Sequence, residues 1–275
     1  MNDRERVQLK LDLFEGMGLS LSKSDKILDF GCGDGRKVNE FRDRGYDCQG
    51  CDVRIRDCDP AADLAARDLI REIERPYRVP FDDSSFSLVF SDQVFEHVRN
   101  PDATFREIHR ILKPGGFSLH IFPTRYVPIE PHVHVPFAAW FREPWWLAMW
   151  ARMGVRSPWQ KGLNAKQTTL SNYRYLNLRT NYLTRSEIVG LSDKYFASTR
   201  FCMRDALRHH PRTRGAIGIL ACTSIVAILL DRFSTHVVLQ SKSEDSMQED
   251  DARSASTRSS HGPFHDAEPL AGGTS

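Results

Sequence analysis

Apolar and polar positions along this chain fall into short blocks whose period changes repeatedly. Ile27-Leu28-Asp29-Phe30 is an apolar run that meets alternating glycines, and it predicts a buried strand turning sharply into a helix. Arg36 to Gly45 carries Val38 and Phe41 on one helical face, with Gly45 as its stop. Tyr46 to Asp52 predicts a second strand that ends in an acid. Phe86 to Phe90 predicts another short strand with a polar exit at Ser91 to Gln93. Asp102 to Leu112 then predicts a helix, Lys113-Pro114-Gly115-Gly116 its stop, and Phe117 to Phe122 the next strand. Further on, Ala138 to Met153 reads as a bulky amphipathic helix with Pro144 at or near a start. Thr184 to Phe196 reads as a late helix and Thr235 to Lys242 as a last strand. Residues 1–24 read as a helical lead-in, with Val7, Leu9, Leu11, Leu13, Phe14 and Met17 available to pack on a sheet or cover a ligand site.

The glycines carry the first chemical signal. Gly31, Gly33 and Gly35 let the backbone approach a ligand where any side chain would collide, and the helix that follows offers free N–H groups to a polar or anionic ligand. Asp52 lies roughly 20 residues beyond this turn, at the end of the neighbouring strand of a βαβ unit, where a carboxylate can accept hydrogen bonds from ribose hydroxyls. The even glycine spacing differs from the Gly-x-Gly-x-x-Gly fingerprint of dinucleotide-binding dehydrogenases.

Four blocks in this order make the pattern specific: DFGCGDG at 29–35, the acid Asp52, VPFDDSSFSLVFSDQVFEHV at 79–98 and LKPGGFSLHIFP at 112–123. Over its first 125 residues or so the chain resembles the class I S-adenosylmethionine-dependent methyltransferases of the small-molecule type. That resemblance implies a three-layer α/β fold, Rossmann-like, with a seven-stranded, mostly parallel sheet and an antiparallel last strand, here with a helical cap insertion. It implies S-adenosylmethionine as cofactor, with Asp29 orienting the glycine loop and the methionine amino group. Gly31, Cys32, Gly33, Gly35, Asp52, Val53, Ser91 and Gln93 complete the cofactor-binding set it suggests. The expected organisation is a lead-in at 1–24, a cofactor-binding half at 25–124, a substrate cap at 125–183, the C-terminal part of the methyltransferase domain at 184–242 and a disordered tail at 243–275.

Length and cysteines fit this outline. A chain of 275 residues can bury a substantial core. Its six scattered cysteines and charged start suggest reduced thiols and a cytoplasmic protein. Cys48, Cys51 and Cys58 invite a zinc reading, but residues three apart on a strand face opposite sides. Core thiols are expected instead, and no metal site.

Charge and aromatic content single out the expected cap. Residues 125–183 hold eight basic and two acidic side chains, and all five tryptophans fall between Trp140 and Trp159. Two readings stand: a helix packed on the core, or a Trp/Arg surface for an amphipathic ligand or a membrane. Ala216 to Leu230 is an apolar run of 15 residues, shorter than the roughly 18 a spanning helix needs. A buried or partner-facing helix is expected there, with peripheral contact at the inner face of a membrane as the alternative.

Methyl transfer to a hydroxyl needs a base, and histidine suits neutral pH. His97, His132 and His134 are the candidates. On an extended segment His132 and His134 would face the same side, as a metal pair does, but no third ligand is visible and no metal is expected there. The exit at Ser91-Asp92-Gln93-Val94 lacks the Asn/Asp-Pro-Pro-aromatic turn of enzymes that methylate base amino groups, which disfavours a nucleic acid. The expected activity is therefore methyl transfer to a small or lipid- or glycan-linked acceptor, an anionic one included, at a hydroxyl oxygen. The alternatives are a methyltransferase-fold scaffold without catalysis, and an RNA-directed enzyme.

Overall fold

The structure, a computed structural model, describes residues 2–74, 77–209 and 224–244. Its strands are β1 (Lys26–Phe30), β2 (Asp47–Asp52), β3 (Ile70–Glu72), β4 (Phe86–Asp92), β5 (Leu112–Pro123), β6 (Ser198–Phe201) and β7 (Thr235–Ser241). They form one seven-stranded sheet in the order β3-β2-β1-β4-β5-β7-β6, and β7 runs antiparallel to both its neighbours. The helices are α1 (Asp3–Gly16), α2 (Arg36–Asp43), α3 (Ala61–Ala66), α4 (Pro101–Ile111), α5 (Pro144–Arg152), α6 (Ala165–Arg179), α7 (Arg185–Ser192), α8 (Met203–His209) and α9 (Ser224–Phe233). None of the described helices is long and apolar enough to cross a membrane.

The order places a crossover at β1. Strands β1 to β3 build outward on one side, and the chain then returns to lay β4 on the other side of β1, with Asp29 paired to both Gly50 and Phe90. Such switch points in parallel sheets open a crevice at the carboxyl ends of the strands. The glycine loop and the exit of β4 meet there.

Each face of the sheet has its own core. Val7, Leu13 and Phe14 of α1, Val38 and Phe41 of α2, and Ile27, Cys48 and Phe90 of the sheet fill one. Leu28, Phe30, Cys51 and Val89 pack with Phe105, Ile108 and Ile111 of α4 on the other. Cys48 and Cys51 thus face opposite sides, as the period of a strand requires, and both are fully buried. A third core of Val133, Val135, Ala138, Leu147 and Leu176 joins α5 to α6.

Several expected boundaries move. The helix expected from Ala138 begins only at Pro144, whose fixed φ suits a first turn; 138–140 are turn and 141–143 irregular. The late helix spans Arg185–Ser192, opened by a capping box of Thr184 and Glu187. Lys113-Pro114-Gly115-Gly116, expected as a break, lies inside β5: the ladder shifts register between Phe86 and Leu88, and Gly115 takes a φ of +72°. A proline cannot donate to a ladder, so the strand bulges around it. The expected tail beyond Glu244 and most of the Ala216–Leu230 run fall outside the described residues. Within α9, Ala227 is buried while Ile225, Ile228 and Leu229 are exposed.

Candidate active site

The glycine loop hangs from β2 by hydrogen bonds. Gly31 and Cys32 N–H both donate to the Cys51 carbonyl, at 2.7 and 3.1 Å. Gly33 N–H donates to Asp52 Oδ2 at 2.9 Å, and Arg54 N–H to Oδ1 at 3.3 Å. Asp52 therefore ties the loop to the neighbouring strand end while remaining partly accessible. Gly31 has a φ of +83°, and a Cβ there would lie 2.3 Å from a Val94 methyl. Gly35 opens α2 at a φ of +73°, and a Cβ on it would meet Leu64 at 2.7 Å.

Beneath the loop lies a charge network drawn from four elements, α1, β1, α2 and β4. Asp29 is fully buried, with neither carboxylate oxygen hydrogen-bonded, and Lys37 Nζ of α2 is 3.3 Å from Oδ1. Lys10 Nζ of α1 pairs with Asp92 Oδ2 at the β4 exit, at 3.0 Å. Burial raises the Asp29 carboxyl above its ordinary range against the pull of Lys37 and Lys10. At Asp92 burial acts in the same sense, but Lys10 and Lys37 outweigh it and hold the carboxyl below its ordinary range. No local pattern pairs Lys10 with Asp92, because α1 reaches the β4 exit only in the folded chain.

The other expected cofactor residues divide. Val53 is exposed beside Asp52, and Gln93 is exposed at a φ of +59°. Cys32 is buried, with its side chain against Gly50, so it can offer a ligand its backbone. Ser91 departs from expectation: it is buried, with Oγ 2.8 Å from Nδ1 of His120 between β4 and β5, and its hydroxyl is turned into the core. Burial alone pushes His120 down to about 3, which keeps it neutral.

A second polar cluster lies after β4 and β5. Glu96, in a short 3-10 turn (Phe95–His97), is fully buried with no hydrogen bond to either carboxylate oxygen, and burial pushes it up to about 7. His97 Nδ1 lies 2.8 Å from the Arg179 carbonyl at the end of α6. A carbonyl only accepts, so Nδ1 carries the proton and Nε2 a lone pair. His132 Nδ1 lies 2.8 Å from Glu130 Oε1. Glu130 also accepts from the His132 and Val133 N–H groups, at 2.8 and 2.6 Å, and from the Tyr182 hydroxyl. Burial raises the Glu130 carboxyl, but these bonds, His132 first, outweigh it and keep Glu130 below its ordinary range. Burial lowers His132 in turn, and Glu130 reverses this to raise it overall. The two imidazoles lie edge to face, with ring centroids 4.9 Å apart.

His134 does not join them. The expected extended His132-Val133-His134 segment is instead a turn in which His134 N–H donates to the Glu130 carbonyl at 2.9 Å. His134 itself sits exposed at a φ of +59°. Glu96, Glu130 and Tyr182 complete the cluster, and of these only Glu96 stood within a recognisable block. Of the tryptophans, Trp140, Trp145 and Trp159 are exposed, whereas Trp146 and Trp150 pack on the α5–α6 core.

The sheet order, the glycine loop and the acid of β2 form a Rossmann-like fold of the kind the S-adenosylmethionine-dependent methyltransferases share. Residues 28–119 match the family model described as a methyltransferase domain. The chain is similar to an uncharacterized methyltransferase of Schizosaccharomyces pombe, 30% identical over 111 residues, 35% of this chain and 39% of that protein. It is similar to a sterol 4-C-methyltransferase of Caenorhabditis elegans, 28% identical over 103 residues, 36% and 31% of the two chains. A malonyl-[acyl-carrier protein] O-methyltransferase of Marinomonas is 28% identical over 136 residues, 45% of each. The chain thus spans less than half the length of these relatives. S-adenosylmethionine is the cofactor of this class, and the site fits it. A loop that a Cβ would fill, an adjacent carboxylate and a helix opening on a glycine are what a nucleoside and an amino-acid tail require.

Proposed function

We propose that this chain is a methyltransferase that modifies a hydroxyl oxygen of a small or lipid- or glycan-linked acceptor. The observation that carries this reading is the Glu130–His132–His97 cluster after β4 and β5, in the crevice that the glycine loop also borders. The cofactor would be held by the loop at Gly31, Gly33 and Gly35 and by Asp52, with Lys10, Lys37, Asp29 and Asp92 fixing the loop from below. When bound, it supplies a methyl group on sulfonium, already electrophilic, so the protein's task is alignment and exclusion of water. A hydroxyl is a poor nucleophile until its proton leaves, and His97 and neutral His132 each present a lone pair on Nε2 for that departure. Glu130 positions His132 and stabilises its charge. It does not touch the acceptor.

The cap supports an acceptor with both apolar and anionic parts. Trp140, Trp145 and Trp159 are exposed in a segment of net positive charge, and indole and guanidinium both suit interfacial ligands. The oxygen acceptor has a counterpart in the O-methyltransferase relative, although the sterol relative is named for transfer to carbon. Titration with S-adenosylhomocysteine, followed by methyl transfer from labelled cofactor to a panel of hydroxylated lipids, glycans and carboxylated metabolites, tests the reading. Cofactor binding with labelling of a hydroxyl acceptor is expected. No cofactor binding, or labelling of RNA alone, overturns it.

A further inference from the structure

We propose that Glu96, His97 and His132 bind one divalent transition-metal ion. Each brings a ligand atom within 4.8 Å of the other two. An ion about 2.1 Å from each of three ligands sets them about 3.0–3.6 Å apart, so closure draws the ligand atoms together by up to about 1–2 Å, a side-chain rotation rather than a backbone change. Two histidines and one carboxylate are the donor set of open transition-metal sites, which leave positions for water or substrate.

Two independent observations point to a ligand. Glu96 is fully buried, and neither of its oxygens has a hydrogen-bond partner. A buried carboxylate in that state is costly, and a cation is the occupant that satisfies it. The imidazoles are also prepared for one. His97 is held at Nδ1 by the Arg179 carbonyl and His132 at Nδ1 by the Glu130 carboxylate, both at 2.8 Å. This is the arrangement that orients metal-bound histidines and leaves Nε2 free to ligate. Glu130 is itself fixed by the His132 and Val133 N–H groups and by Tyr182.

The site deepens the methyl-transfer reading and rests on it for its consequence, though not for its existence. An ion held there would take the acceptor hydroxyl as a further ligand and lower its pKa, so its proton leaves to water. The oxygen–methyl bond then forms as the sulfur–methyl bond breaks, the bonding pair staying on sulfur. His97 and His132 act through the ion in that case.

The test uses the full chain, stripped with a chelator and titrated with Zn2+ and with Co2+ as a spectroscopic probe. One equivalent is expected to bind, with cobalt d–d bands. Glu96→Gln, close in shape, and His132→Ala each abolish uptake, Glu130→Gln weakens it by about 10–100-fold, and His134→Ala leaves it unchanged. Circular dichroism melts on each variant separate lost ligation from lost folding. Failure to take up an equivalent while S-adenosylhomocysteine still binds overturns the metal site and leaves the methyl-transfer reading intact. Uptake unaltered in Glu96→Gln and His132→Ala also overturns it. Metal uptake without binding of S-adenosylhomocysteine supports the site and overturns that reading.

Discussion

The Gly33 N–H donates to Asp52 Oδ2 at 2.9 Å, so the loop after β1 is held in place by the acid that ends β2. Nineteen residues separate the two in the chain, yet the bond joins the two strand ends directly. Asp52→Ala leaves the Gly33 and Arg54 N–H groups without this acceptor and removes a carboxylate from the crevice. S-adenosylhomocysteine affinity is expected to fall at least tenfold, about 1.5–3 kcal/mol for hydrogen bonds to a charged group. Calorimetric titration reads it, and an unchanged Kd would remove Asp52 from the site.

Gly31 is constrained twice, by a φ of +83° and by Val94 packed where a Cβ would stand. Gly31→Ala should lower the melting temperature and weaken cofactor binding. The left-handed backbone alone costs about 1–2 kcal/mol in an alanine. Adding Val94→Ala relieves the clash but not the backbone cost, so the double variant should recover only part of the loss. Full recovery would show that the backbone term was negligible.

Glu107 provides a pH-dependent element in the fold away from the cofactor loop. Burial raises its carboxyl, but the Arg110 guanidinium at 2.7 Å and the Val79 N–H at 2.9 Å outweigh this and hold it below its ordinary 4.5. The unfolded chain therefore takes up this proton first as pH falls. The stabilisation is complete above the ordinary value and is lost progressively below it, as pH falls through the folded value. Glu107→Gln should cost about 2 kcal/mol at neutral pH. The difference in melting temperature between the two proteins should shrink towards pH 3, and a constant difference would contradict this.

Glu130→Gln separates positioning from binding. The amide cannot stabilise charge on His132, so methyl transfer should slow by about 10–100-fold. Affinity for S-adenosylhomocysteine should stay within a factor of two or so, because Glu130 lies outside the glycine loop. Equal losses in turnover and cofactor affinity would assign Glu130 to general stability instead.

The cofactor side of the site was legible along the chain because its constraints are local. Gly31, Gly33 and Gly35 are needed at fixed spacing by the backbone itself, and each adopts a positive φ. Helix α6 was not, because Thr168 and Asn172 share its buried face with Leu176, which leaves little apolar period to read. Its capping box, Asn164 with Gln167, was the available signal. The edge elements α3 and β3 are too short for a period to establish itself.

What the sequence determined by itself was the βαβ beginning, the tight glycine loop and the acid that ends the next strand, since backbone conformation and strand period act over a few residues. Tertiary structure alone decided which histidines meet. His97 is held by Arg179 from 82 residues away, and Glu130 is reached by Tyr182 from 52. His134, two positions from His132, lies outside the cluster. Side chains converge through the return of the chain to neighbouring strand ends, a property of sheet order and packing that no local spacing encodes.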